Sequence, residues 1–114
     1  MKIKTPGRIC LFGEHQDYLG LPVIAMAISK FSSLSGVARN DAKVVIRKPD
    51  INDIEEFSLN DIKYDSKQDI FKSGFNICKR FGFKFSRGFD VTVKSDIPIK
   101  AGTSSSSSLL VSWI

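Results

Sequence analysis

Five consecutive serines, Ser104 to Ser108, sit between an alternating stretch and an apolar run, and they constrain this chain more than any other feature. Ahead of them, Gly88 to Ser95 alternates. Phe89, Val91 and Val93 share one side and Asp90, Thr92 and Lys94 the other, which predicts a strand. Behind them, residues 106–114 predict the opening of a helix. Pro98 to Ser108 is then a Gly/Ser loop from strand to helix. The first turn of a helix leaves backbone N–H groups unpaired, and those groups together with the helix dipole attract an anion. Gly102 has no Cβ and lets the backbone approach a ligand closely. Serines add hydroxyl donors, one of which can ligate Mg²⁺ beside phosphates, and Lys100 adds positive charge. Read alone, the same residues describe a flexible serine linker or an N-capping loop equally well. Neither the Walker pattern nor the dinucleotide fingerprint with its three spaced glycines is present.

A second polar loop lies near the N-terminus. Gly13-Glu14-His15-Gln16-Asp17-Tyr18-Leu19-Gly20 gathers two carboxylates, an aromatic ring and the chain's single histidine. Polyols are recognised by convergent groups of this kind. Carboxylates accept hydroxyl protons, and imidazole accepts or donates. Loops held by rigid strands are where binding residues concentrate. One histidine with two nearby carboxylates is a poor set for a transition metal, and a solvated turn is the plain structural alternative. Arg8, one short strand away, offers a charge-assisted contact to a phosphoryl group.

The remaining elements predict an α+β sheet covered on one face. Met1 to Phe12 reads as an edge strand, a turn at Pro6-Gly7 and a buried strand at Ile9-Cys10-Leu11-Phe12. Pro22 to Ile28 fits a buried strand or a short helix, which periodicity does not separate. Lys30 to Arg39 and Lys43 to Lys48 read as strands, with Asn40-Asp41 supplying turn residues between them. A short strand is expected near Glu56 to Leu59. Gln68 to Phe81 predicts an amphipathic helix with Ile70, Phe71, Phe75, Cys78 and Phe81 on one face, Lys72, Lys79 and Arg80 elsewhere, and Gly82 as C-cap.

With 114 residues the chain holds one domain at most, and its nine phenylalanines supply core material. Seventeen basic against twelve acidic residues give a net charge of +5, which favours anionic partners such as nucleotide phosphates or nucleic acid. The basic residues are scattered, however, and no run of like charges marks a dedicated nucleic-acid patch. Cys10 and Cys78 read as two buried free thiols of a reducing compartment. No stretch is long and apolar enough for a signal peptide or a membrane span, so a cytoplasmic location is expected. The chain stops inside the apolar run Leu109 to Ile114, so it is expected to be the front part of a longer protein.

Taken together, the two loops resemble a known family. Pro6-Gly7-Arg8-Ile9-Cys10-Leu11-Phe12-Gly13-Glu14-His15-Gln16-Asp17-Tyr18-Leu19-Gly20 looks like the first signature of the GHMP kinases in its galactokinase form, and Pro98 to Leu109 looks like their phosphate-binding signature. The resemblance implies an N-terminal domain like the second domain of ribosomal protein S5, with a left-handed βαβ feature. It also implies transfer of phosphate from ATP, with Mg²⁺, to a sugar hydroxyl. It makes Arg8 the residue beside the transferred phosphate and Glu14, His15 and Asp17 the sugar ligands. Pro98, Ala101, Gly102, Ser104, Ser105 and Ser106 would hold ATP, and Ser106 would contact Mg²⁺.

There are departures. Thr103 replaces the family's usual leucine, Ser107 and Ser108 replace small apolar residues, and Lys100 stands where a small residue is common. Leu21-Pro22-Val23-Ile24 is closer to mevalonate kinases, while Glu14-His15 followed by Asp17-Tyr18 favours a sugar. The family's catalytic aspartate and its C-terminal domain would lie beyond residue 114, so these residues alone are expected to have no useful kinase activity. The alternatives are a mevalonate-type kinase, a catalytically silent sensor of sugar and ATP, and an RNA-binding module of the same fold.

Overall fold

The alternation at Phe89–Ser95 forms the middle of a sheet. The structure, a computed structural model, describes residues 1–64, 69–98 and 103–114, and only the backbone of Asp17. In chain order the elements are β1 (Lys2–Phe12), β2 (Ile24–Ala38), β3 (Lys43–Lys48), β4 (Asp53–Ser58), α1 (Ile70–Arg80), β5 (Phe89–Ser95) and α2 (Ser105–Trp113), with 3-10 turns at Asp17–Leu19 and Pro49–Ile51. Among the described residues the five strands lie in the order β1-β2-β5-β3-β4. Neighbours are antiparallel except β3 and β5, which run parallel. A parallel pair needs a long crossover, and the stretch containing β4 and α1 supplies it. This is the α+β architecture read from the sequence. The turn at Asn40-Asp41 does not make β2 and β3 neighbours, because β5 enters between them.

The core lies between the sheet and the two helices. Val44 and Ile46 of β3 are fully buried, and Leu34, Val91, Val93, Phe71 and Phe75 are nearly so. Phe75 sits at the centre, in edge-on contact with Phe57, Phe85 and Trp113 at centroid distances of 5.8, 4.8 and 5.4 Å. Gly74 makes the helix contact possible: a Cβ there would lie 2.5 Å from the Trp113 ring. The indole N–H then donates to the Phe71 carbonyl at 3.0 Å. Burying Phe75 contributes about 2 to 3 kcal/mol.

The helical spacing held for Phe71 and Phe75 and failed at its ends. Phe81 falls one residue past α1 and is 80% exposed. Gly82 closes the helix as expected, with φ +87° and its N–H donating to the Lys79 carbonyl. Gln68 lies outside the described residues. Lys72, read as polar-face, is buried. Its ammonium lies 3.7 Å from Asp69 and over the Phe57 ring, so charge pairing and ring contact replace solvent. Cys10 and Cys78 are free thiols but only half-buried.

The outer face of the sheet is solvated and ionic. Arg47 reaches Asp90 through two hydrogen bonds of 3.1 Å, and Arg39 clasps Asp41 through two of 2.8 and 2.7 Å. The hydrogen bonds from Arg39 hold the Asp41 carboxyl at about 2, well below its usual 3.8. Arg47 lowers Asp90 in the same way.

At the other end, β1 and β2 extend beyond the packed sheet. The expected buried strand Ile9 to Phe12 is the outer half of one continuous β1, and Leu11 and Phe12 are exposed. Pro22 to Ile28 resolves as strand from Ile24 onward, also exposed except at Ile28. Among the described residues no helix packs on this end.

Candidate active site

The first loop hangs from the exposed ends of β1 and β2. Gly13 takes φ +85°, and a Cβ there would lie 2.7 Å from the Pro22 carbonyl, so glycine lets the loop turn back on itself. Gln16 N–H then donates to the Gly13 carbonyl at 3.1 Å, and Leu19 N–H to the Gln16 carbonyl at 3.0 Å, opening and closing a short 3-10 turn.

The second loop docks on β1. Arg8 N–H donates to the Thr103 carbonyl at 3.2 Å. A Cβ on buried Gly7 would come within 3.0 Å of that carbonyl oxygen, so only glycine lets the loop lie this close. Further along, Ser108 donates to the Thr5 carbonyl at 2.9 Å, and buried Ser112 donates to the Thr5 hydroxyl at 2.6 Å. The serine run therefore divides. Ser108 faces inward and holds α2 to β1, while Ser106 and Ser107 face solvent.

Between the loops lies a cavity of about 400 Å³ lined by Arg8, Cys10, Gly13, Glu14, His15, Val23, Ala25 and Ser104. It joins residues from both motifs, which are almost a whole chain length apart. Among the described residues three non-glycines have positive φ: His15 at 65°, Asn52 at 50° and Ser104 at 57°. Two of these line the cavity. Asparagine and histidine are enriched in this region, but serine adopts it at a cost of order 1 kcal/mol, and such strain concentrates at functional positions. The N-terminus of the nine-residue α2 begins directly after Ser104, and no side chain caps it. The first N–H groups of a helix have no acceptor within the helix itself, so they can meet an anion.

Of the expected site residues, Arg8, Glu14, His15 and Ser104 meet in this cavity. Ser105 and Ser106 form the first turn of α2 without lining it, and Pro98 is exposed at the loop's start. The backbone of Asp17 lies in the 3-10 turn. Ala101 and Gly102 lie outside the described residues. Sequence reasoning passed over Cys10, Val23 and Ala25. Cys10 is two residues from Arg8 on a strand, which puts both on one face, and Ala25 is its partner across the ladder. A second cavity of about 370 Å³, at the opposite end near Met1, Phe75 and Trp113, is mostly apolar. Among the described residues no group of three His, Cys, Asp or Glu side chains is placed to hold a metal, and no helix is long and apolar enough to cross a membrane.

A helix N-terminus facing a polar loop on an α+β sheet is the arrangement the two motifs call for, and comparison with known proteins gives the family. Residues 2–33 match the family model described as the galactokinase galactose-binding signature, and residues 69–114 match that of the GHMP kinases N-terminal domain. The galactokinase of Ligilactobacillus salivarius is 37% identical over 110 residues, covering 92% of this chain and 28% of that protein. The crystal structure of Lactococcus lactis galactokinase complexed with galactose superposes with a TM-score of 0.85 at 30% identity, covering 96% of this chain and 30% of that one. That of Methanococcus jannaschii mevalonate kinase gives 0.82 at 28% identity, covering 99% and 38%. The chain belongs to the GHMP kinase family, and its first motif is of the galactokinase kind. It spans less than two fifths of the length of each of these relatives.

Proposed function

We propose that this chain forms the ATP- and sugar-binding part of a kinase that phosphorylates a hydroxyl of galactose or a close relative. The observation that carries this reading is the single cavity holding Arg8, Glu14 and His15 from the first motif and Ser104 from the second. In the proposed reaction the sugar oxygen bonds to the γ-phosphorus of ATP, the bond to the β-phosphate oxygen breaks, and ADP leaves. The hydroxyl proton passes to a base that the family resemblance sets beyond residue 114.

The chain's own residues bind and orient. Glu14, His15 and Asp17 hold sugar hydroxyls. The N–H groups at the start of α2 and the hydroxyls of Ser104, Ser105 and Ser106, with Pro98, Ala101 and Gly102, hold the nucleotide phosphates. Arg8, on the wall between the two, stabilises charge on the phosphoryl group in flight. Mg²⁺ bound to ATP neutralises its phosphates. Exposed Ser106 fits as one oxygen ligand for an ion that keeps several waters and substrate oxygens.

The test is ADP release by the full-length gene product given Mg-ATP and a panel of monosaccharides together with mevalonate. Release with galactose or a close relative, abolished by Asp17→Ala, supports the reading. Release with mevalonate alone replaces it by the mevalonate-type reading. ATP binding without release on any acceptor would replace it by a sensor.

A further inference from the structure

The cavity between the loops is lined by two kinds of side chain. Arg8, Glu14, His15 and Ser104 bring charge and hydrogen-bonding groups, while Cys10, Val23 and Ala25 do not. The second set is contiguous. Cys10 and Ala25 are partners across the β1–β2 ladder, and Val23 lies two residues before Ala25, which puts both on one face. Ile24 and Met26, at the alternate positions, are exposed and do not line the cavity. A Val23 methyl lies 3.1 Å from where a Gly13 Cβ would stand, so this wall runs to the base of the polar loop. The Cys10 thiol donates to the Phe12 carbonyl at 3.1 Å. Its one hydrogen is turned to its own strand, and the sulfur adds a soft, weakly polar surface.

Such a wall gives nothing to nucleotide phosphates, which need donors and positive charge. A sugar has both kinds of surface: hydroxyls that need partners and ring C–H groups that do not. A hydroxyl turned to the wall would lose water and gain no partner. We propose that Cys10, Val23 and Ala25 form a specificity wall that takes a C–H face of the sugar, and that Ala25, the smallest of the three, sets the room for it. The inference rests on the kinase reading above and deepens it.

The test is steady-state kinetics of the full-length gene product with galactose and Mg-ATP, beside melting curves. Ala25→Leu is expected to raise the KM for galactose by about ten-fold or more. The KM for ATP and the melting temperature are expected to stay at wild type, because Ala25 is exposed on a stretch of β2 that pairs with β1 alone. Val23→Thr exchanges a methyl for a hydroxyl at nearly constant shape and is expected to raise the galactose KM by about five-fold, the worth of one unpartnered hydroxyl. An unchanged galactose KM in Ala25→Leu, or an equal rise in the KM for ATP, overturns the inference while the kinase reading stands. So does an unchanged or lower galactose KM in Val23→Thr, which would turn a sugar hydroxyl to the wall. If the wild type releases ADP with no monosaccharide, the kinase reading falls and the inference falls with it.

Discussion

Strand β2 passes through two environments. From Phe31 to Gly36 it lies between β1 and β5 with α2 against it, and Ser32 and Leu34 are buried. From Ile24 to Ala27 it pairs with β1 alone, and every residue is exposed, Ile24 and Met26 among them. The same strand is core at one end and scaffold at the other. At the packed end, side chains decide stability. At the open end the backbone ladder with β1 maintains the shape, and side chains are free to serve the cavity. Binding groups belong where packing does not already commit them.

The comparison breaks most sharply at two phenylalanines. Phe75→Ala is expected to destabilise the protein by about 3 to 5 kcal/mol, since it empties a site ringed by four aromatic side chains. Phe12→Ala, at a residue 72% exposed, is expected to change stability by no more than about 0.5 kcal/mol. Denaturant midpoints measure both, and equal losses would end the distinction between the two ends.

Arg8→Ala tests the open end from the other side. In the full-length gene product it is expected, on the kinase reading, to lower kcat by about 10²- to 10³-fold, in line with removing one donor to developing charge, with little change in melting temperature because the residue is exposed. Steady-state kinetics beside a melting curve would separate these. Where the two environments meet, Ser108→Ala leaves the Thr5 carbonyl without its hydroxyl donor and is expected to cost about 1 to 2 kcal/mol.

The smallest effect lies on the ionic outer face. The Asp41 carboxyl is held at about 2 by its hydrogen bonds to Arg39, below the usual 3.8 of an unfolded chain. A lowered folded value gives stability that is complete above the unfolded value. It is lost as pH falls from about 4 through 2. Unfolding measured across that range should weaken with acid, and Asp41→Asn should flatten the slope. Exposed pairs contribute little, so the change is small.

Much of this was written locally. Strand β5 was legible because a strand buried on one face alternates, and Phe89, Val91 and Val93 did so. Helix α1 was legible from Phe71, Phe75 and the closing glycine at 82. Both loops stood out by residue type. Phe12 misled because an apolar residue reads as buried whether or not anything arrives to cover it. Lys72 misled because a lysine reads as solvated until a carboxylate and a ring lie within its reach. Five like serines carried no sign that Ser108 faces Thr5 while Ser106 faces water, since that depends on which side of α2 meets the sheet.

The sequence by itself determined the elements, the turns that need glycine, and two motifs with their chemistry, because period, φ preference and side-chain type act over a few residues. Only the tertiary structure decided that β5 enters between β2 and β3, that one end of β2 meets no helix among the described residues, and that Arg8 meets Ser104 through the carbonyl of Thr103. Those outcomes depend on which distant surfaces bury each other, and no local pattern encodes that choice.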